Sequence, residues 1–514
     1  MLTVKIEQNG KAWEQNFFVI DSHSHLGEDV DGAKMMNPLA PGTGTFDFWG
    51  NVQGKLVADW AKTHEQSFMT TIKGIPTRIS WSFNSFPFTE KLYSALEKIG
   101  KKYSDLKEKS RFYAFIDQGV VFPFQDVFRD KHPDALYRAS NINVSRFTTR
   151  FPFSLKLIGY ARVDPMEGEK AVKEVTYARE VLGLRGLKLH PRSERWIDDI
   201  KSEKAIKVLI EAASHSMPVI FDTRGRGSIL DIAELVKSTR SVIKQQYPEL
   251  LPHLKVIIAH FAQGNIGDHD VYNAVVQPGV YGDLSMLHGE GAGNFFEDFR
   301  KWFNANNRVS VDKRDWSEYL LFASDYPYFG DVHAQKLLTY IINKRFFDTG
   351  GTLNDTRNIL GLNQLKILPE YSIPLIQKKQ KQPQSIIFSN MDADFNSHDQ
   401  VIKSIAKLLV DNQIDIKKFC FQFNNNWNSF DENILLDINR YGTEENLYIH
   451  ILKLIPNVAT LVAPLLSNFQ WNKAGYKFFD PEDRNYFNTI FRNNYLVTNE
   501  EQALGSLMHL IINH

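Results

Sequence analysis

Eight short apolar runs, each closed by polar or chain-breaking residues and parted by helical stretches, constrain this chain more than any other feature. They are Phe17 to Ile20, Gly119 to Phe124, Leu157 to Pro165, Leu184 to Pro191, Pro218 to Asp222, Val256 to His260, Val280 to Leu284 and Leu320 to Asp325. Continuous apolar runs of this length suit strands buried on both faces. Alternation with helical spacers argues for parallel strands. Eight such repeats predict a (β/α)8 barrel, an α/β fold whose strand C-termini all converge on one mouth. His23, His25, His190, Asp222, His260 and Asp325 each end or follow one of these runs, so the fold predicts that they gather there despite their long separations.

The rest of the chain is read around that barrel. At 514 residues it exceeds one ordinary domain, and 43% hydrophobic with 23% charged residues supplies a sizeable core. Residues 1–376 are assigned to the barrel, 377–384 (QKKQKQPQ) to a polar linker and 385–514 to a small α-rich or α/β C-terminal domain of unassigned role. Within that last part, Ile386 to Phe388 reads as a strand and the stretch from Ser397 as a capped helix. Leu452 to Leu466 is apolar but broken by Pro456 and Pro464. At the other end, Leu2 to Gln15 carries a hairpin signal around Asn9-Gly10, where both turn positions want positive φ. Between them, an insertion spanning about 28–111 reads as Pro/Gly-containing loop and aromatic-rich segments plus one helix capped by Thr89. As an insertion directly after the first strand it is expected to act as a lid, to pack round the mouth or to form a dimer surface.

Charge and cysteine content narrow the partners. Sixty basic residues balance sixty acidic ones, leaving no field to draw nucleic acid or an anionic membrane, so a small-molecule substrate is expected, with homo-oligomerisation open. The single cysteine, Cys420, allows no internal disulfide and reads as a small core residue. No basic-then-apolar leader opens the chain and no apolar run reaches spanning length, so a cytoplasmic location is expected.

His23 and His25, two apart at the end of a buried strand, point to one face. Two adjacent imidazoles are half of a divalent metal site, although taken singly either could cap a turn.

The strand ends resemble the amidohydrolase-related family, the branch of the amidohydrolase superfamily that holds aminocarboxymuconate-semialdehyde decarboxylase, resorcylate decarboxylases and lactone hydrolases. The resemblance runs in order through IDSHSHLG (20–27), GVVFPF (119–124), LIGYARVDP (157–165), LGLRGLKLHP (182–191), MPVIF (217–221), KVIIAHFAQG (255–264), VYGDLSML (280–287), LLFASDYP (320–327) and NILGLNQLKIL (358–368). It implies a (β/α)8 barrel with His23, His25 and Asp325 as metal ligands, His260 as acid/base and Asp325 as a second catalytic group. At the end of strand five, where the family carries a ligand histidine, this chain has Asp222. Asp222 could bind through oxygen, or His190 could supply the missing nitrogen. The implied cofactor is one divalent ion, zinc first, with manganese or iron as alternatives; a carboxylate ligand moves preference toward harder ions.

Such a centre would hydrolyse a small, carboxylate-bearing amide, ester or lactone through a metal-activated water. Arg192, Arg224 and Arg226, just after strands four and five, are candidates for gripping the substrate carboxylate. Two other readings remain open at this point: non-oxidative decarboxylation of an aromatic or unsaturated acid, with His260 protonating carbon, and a catalytically decayed barrel serving as a binding scaffold.

Overall fold

Leu2–Gln8 (β1) and Lys11–Phe17 (β2) form the hairpin expected across Asn9-Gly10, with φ of 51° and 74° at the two turn residues. The apolar run that follows divides. Phe17 closes β2, Phe18 and Val19 are a link, and the first barrel strand, β3, runs Ile20–Leu26 and takes in both histidines. Polarity does not end this strand because its polar side chains find partners inside: Ser24 Oγ donates to the Val120 carbonyl at 2.8 Å, and Asp21 accepts from Ser324.

The structure is a computed structural model that describes residues 2–26, 45–83, 116–123, 135–148 and 157–369, together with three two-residue strands at Tyr371–Ser372, Ile387–Phe388 and Tyr476–Lys477. The helix expected after Thr89, the linker 377–384, Cys420 and, Ile387–Phe388 and Tyr476–Lys477 apart, the segment 385–514 lie outside the described residues.

After β3 come α1 (Thr45–Thr63), β4 (Ser67–Ile72), β5 (Ile75–Phe83) and β6 (Gln118–Pro123). The chain then runs α2 (Arg138–Thr148), β7 (Leu157–Gly159), β8 (Ala161–Arg162), α3 (Glu169–Glu180), β9 (Leu187–Leu189), α4 (Glu203–Ser214), β10 (Val219–Phe221) and α5 (Arg226–Gln246). β11 (Val256–Ile258), α6 (His269–Val275), β12 (Val280–Asp283), α7 (Phe295–Ala305), β13 (Leu320–Leu321) and α8 (Asp331–Ile342) complete the alternation. Helix α4 shows why these spacers are helical. Ser202 caps it by accepting from the Ala205 amide, and Ala205, Val208, Leu209, Ala212 and Ala213 form one buried stripe.

The barrel is an α/β barrel of the TIM type whose strand ladder is not one continuous ring. Strands β13-β12-β11-β10-β9-β8 form one parallel sheet and β3-β6-β7 another. β7 and β8 are a single passage of chain, interrupted at Tyr160, that serves both sheets; the Tyr160 amide donates to Val121 and the Ala161 amide to Gly186. Between β3 and the chain after β13, three backbone bonds span the remaining gap: Ser22 N to Phe322 O (3.0 Å), Asp325 N to His23 O (2.8 Å) and His25 N to Tyr326 O (2.7 Å). Asp21 bolts the same seam, accepting from the Ser324 amide (2.9 Å), the Ser324 hydroxyl (2.6 Å) and the Trp49 indole (3.2 Å). Among the described residues no helix is long and apolar enough to cross a membrane.

The described part of the insertion, 45–83, differs from the loop expected for it. Phe48, Trp49, Val52, Leu56 and Trp60 make one buried helical face, which Gly50 and Gly54 disguise in the sequence; both glycines lie on the exposed face, where they are tolerated. β4 and β5 then join the hairpin in an antiparallel sheet of order β2-β1-β5-β4, Leu2 opposite Phe83 and Gln8 opposite Thr77. This part of the insertion is a helix and sheet with buried apolar faces, not an unattached flap. Trp49 packs tightly against Gly119 of β6, where an added Cβ would stand 2.2 Å from Trp49 Cζ2. Gly119→Ala is therefore expected to displace Trp49 from both β6 and Asp21 and to cost about 1–3 kcal/mol. Thermal unfolding checks this, and an unchanged Tm would contradict the packing described.

Candidate metal centre at the barrel mouth

β3 delivers the first two side chains. Its pairing with β6 shifts register between Asp21 and Ser24; His23 lies within the shift and His25 just past it, and their ring centroids are 5.6 Å apart. Phe122 of β6 backs both edge-on at 5.0 and 4.7 Å. Asp325 arrives from the opposite side of the seam. Its φ of 56° is a left-handed conformation that costs a non-glycine residue roughly 1–3 kcal/mol. The 2.8 Å bond from its amide to the His23 carbonyl holds it there. The result is a compact donor set in which Asp325 Oδ1 lies 3.3 Å from His23 Nε2 and 3.3 Å from His25 Nε2. One donor atom from each of the three falls within 4.8 Å of the others, and all three residues are buried.

Two imidazole nitrogens and a carboxylate oxygen fit a divalent ion of the zinc type. Their protonation suits it too. Burial drives His25 down to about 3 and lowers His23, so both rings are neutral. Burial alone would raise the Asp325 carboxyl, but His260 and His23 beside it bring it down to about 2, so it is ionised. His23 Nδ1 meets Asp283 Oδ2 at 2.7 Å, the kind of support that aims a ligand ring at its metal.

The remaining mouth residues form a second layer. His260 follows β11 with a φ of 55°, and its Nε2 stands 3.4 Å from Asp222 Oδ1 and 3.9 Å from Asp325 Oδ2. Burial opposes its charge, but Asp325, Asp222 and Asp283 outweigh that and raise it above the ordinary histidine range. Asp222 follows β10 and lies among positive or imidazole groups: His190 Nε2 at 3.4 Å, Lys188 Nζ at 3.6 Å and Arg224 Nε at 3.6 Å. Against its burial, Lys188 and His260 hold it well below the carboxylate range. Burial takes His190 down to about 2.

Of the residues singled out in the sequence, the structure thus brings His23, His25, Asp325, His260, Asp222 and His190 to one mouth. Among the described residues, the donor groups close enough to share an ion contain neither Asp222 nor His190. The arginines separate. Arg224 reaches Asp222 at the rim, Arg192 is exposed, and Arg226 turns away to pair with Asp268 (2.9 Å) and Asp270. Three residues with prominent places were not singled out. Lys188, on β9, is 1% exposed and its Nζ lies 3.1 Å from His23 Nε2; Asp283 and Ser285 close β12. A lysine in a buried strand and an aspartate inside an apolar run were the available signals, in KLH and YGD.

Residues 153–339 match the family Amidohydro_2, Amidohydrolase. That match spans 187 of the chain's 514 residues, and over this stretch the chain is similar to the amidohydrolases. The matched amidohydrolase segment carries His260, Asp222, Asp283 and Asp325, while His23 and His25 lie before it. The sequence matches no curated protein. Among solved structures, 5-carboxyvanillate decarboxylase from Sphingomonas paucimobilis is similar at 11% identity and a TM-score of 0.36, over 68% of this chain and 99% of that one. A putative amidohydrolase from Staphylococcus aureus is similar at 17% identity and 0.35, over 53% and 94%. A zinc-bound amidohydrolase from Burkholderia multivorans is similar at 10% identity and 0.35, over 68% and 100%. Likenesses this distant transfer no chemistry.

Dialysed against Zn²⁺, the purified full chain is expected to retain about one ion, and His25→Ala to weaken the affinity by about 100-fold or more. Elemental analysis with chelator competition reads both. Zinc retained equally by the variant would remove His25 from the site.

Proposed function

We propose that this protein is a metal-dependent hydrolase of a small ester, lactone or amide that carries a carboxylate. The observation that supports it is the position of Asp325, whose Oδ1 lies 3.3 Å from both ligand imidazoles while Oδ2 faces His260 Nε2 at 3.9 Å. One carboxylate can then serve the ion and the proton traffic together. A divalent ion at His23, His25 and Asp325 supplies Lewis-acid polarisation of a carbonyl and lowers the pKa of water to about 7.

The chain's own groups do the rest. Asp325 Oδ2 takes the proton of the attacking water as its oxygen adds to the carbonyl carbon. His260, held charged by its carboxylate neighbours, passes the Nε2 proton to the departing oxygen or nitrogen as the old bond breaks. Lys188 and Arg224 are the cations available to an anionic substrate, one inside the mouth and one at its rim. Asp222 balances Lys188 and His260 rather than joining the donor set. Burial of His23, His25 and His260 keeps bulk water from these charges, which strengthens each interaction.

A second reading, non-oxidative decarboxylation, is favoured by the same protonated His260 beside a buried lysine: the lysine would grip the carboxylate while Nε2 protonates carbon. A panel of lactones, esters and amides followed by acid release, beside hydroxybenzoates followed by CO₂ release, separates the two. His260→Ala is expected to lower kcat by about 10²–10⁴ and leave the zinc content intact. Undiminished turnover would end the acid/base assignment.

A further inference from the structure

We propose that Asp283 is the positioning residue that sets the tautomer of both working histidines at once, directly for His23 and through Ser285 for His260. Asp283 ends β12 and is fully buried. Its Oδ2 takes His23 Nδ1 at 2.7 Å. Its Oδ1 accepts the backbone amides of His260 (3.0 Å) and Ser285 (3.1 Å), and also the Ser285 hydroxyl. A carboxylate on which so many donors converge is an acceptor only. The single proton of Ser285 Oγ is therefore committed to Asp283. The 2.7 Å contact between Ser285 Oγ and His260 Nδ1 must then run the other way, with the imidazole donating. Both rings carry a proton on Nδ1 and turn Nε2 to the mouth.

The consequence is a division of labour. His23 Nε2 keeps a lone pair for the ion, and Asp325 Oδ1 lies 3.3 Å from it. His260 keeps its Nδ1 proton throughout, so exchange with a substrate is confined to Nε2, which faces Asp222 and Asp325. Asp283, His23 and His260 also lie close enough together to suggest an ion site of their own. The hydrogen bonding explains that proximity instead, because His23 Nδ1 and both Asp283 oxygens are already engaged. The turnover arm of the test rests on the hydrolase reading; the tautomer and the zinc affinity do not.

The experiment uses the full chain labelled with ¹⁵N-histidine. NMR of the zinc-free protein is expected to show His260 and His23 protonated at Nδ1. Ser285→Ala should release His260 from that tautomer, leave zinc affinity unchanged and lower kcat by about 10–100-fold at constant KM, with Ser285→Thr restoring both signature and rate. Asp283→Asn should weaken zinc binding by about 10–100-fold, read by chelator competition. A neutral His260 that carries its proton on Nε2 alone in the unaltered protein, or a Ser285→Ala protein whose neutral His260 keeps the Nδ1 tautomer, overturns the assignment. If Asp283→Asn does not fold, those two readouts still decide. If no substrate in the panel turns over while the tautomers are as stated, the hydrolase reading fails and the role of Asp283 stands.

Discussion

The seam between β3 and the chain after β13 is the constraint on which the rest depends. Three backbone hydrogen bonds and the Asp21 carboxylate join the first strand of the barrel to the last, and the same bonds set Asp325 beside His23 and His25. The left-handed backbone at Asp325 and at His260 is a local cost that this network and the Asp283 carboxylate offset. Fold and site are therefore one problem at this point: loosening the seam would separate the donor set before it unfolded the helices.

Charge is the second constraint. Asp222, Asp283 and Asp325 are all buried and all held ionised, while Lys188 and His260 face them from inside and Arg224 from the rim. Buried charges persist when paired or when they coordinate an ion. Asp283 is satisfied by its four donors, whereas Asp222 has cationic and imidazole neighbours but its Oδ2 accepts no hydrogen bond among the described residues. Asp325 is different, because two of its three closest ring partners are neutral imidazoles that offer lone pairs as readily as protons. A dication there would take both lone pairs and the Asp325 carboxylate together.

The barrel was legible because its signal is redundant: eight apolar runs survive a displaced boundary, as when β3 begins at Ile20 and continues through the histidines. The mouth was legible for the same reason, since strand ends converge whatever the exact register. What stayed hidden depends on contacts across the sheet. Arg226 and Arg224 look alike in the sequence, yet Asp268 and Asp270 lie in reach of the first and Asp222 in reach of the second. Asp283 lies inside the run Val280 to Leu284 with no signal there of its role, because its partner His23 stands 260 residues away in the chain. In α1, Gly50 and Gly54 masked a helical face whose apolar spacing was otherwise plain.

The distribution of the site over the chain follows from this. The segment that carries the amidohydrolase match holds the proposed acid/base histidine, Asp283 and one candidate ligand carboxylate, but both candidate ligand imidazoles come from β3, far outside it. The proposed mechanism draws on both parts. What unites them is backbone hydrogen bonding at the seam and one buried carboxylate, Asp283, that touches His23 on one side and supports His260 on the other. A change that preserved every proposed ligand but shifted β12 by one residue would move Asp283 to the far face of its strand, and both histidines would lose their orientation together.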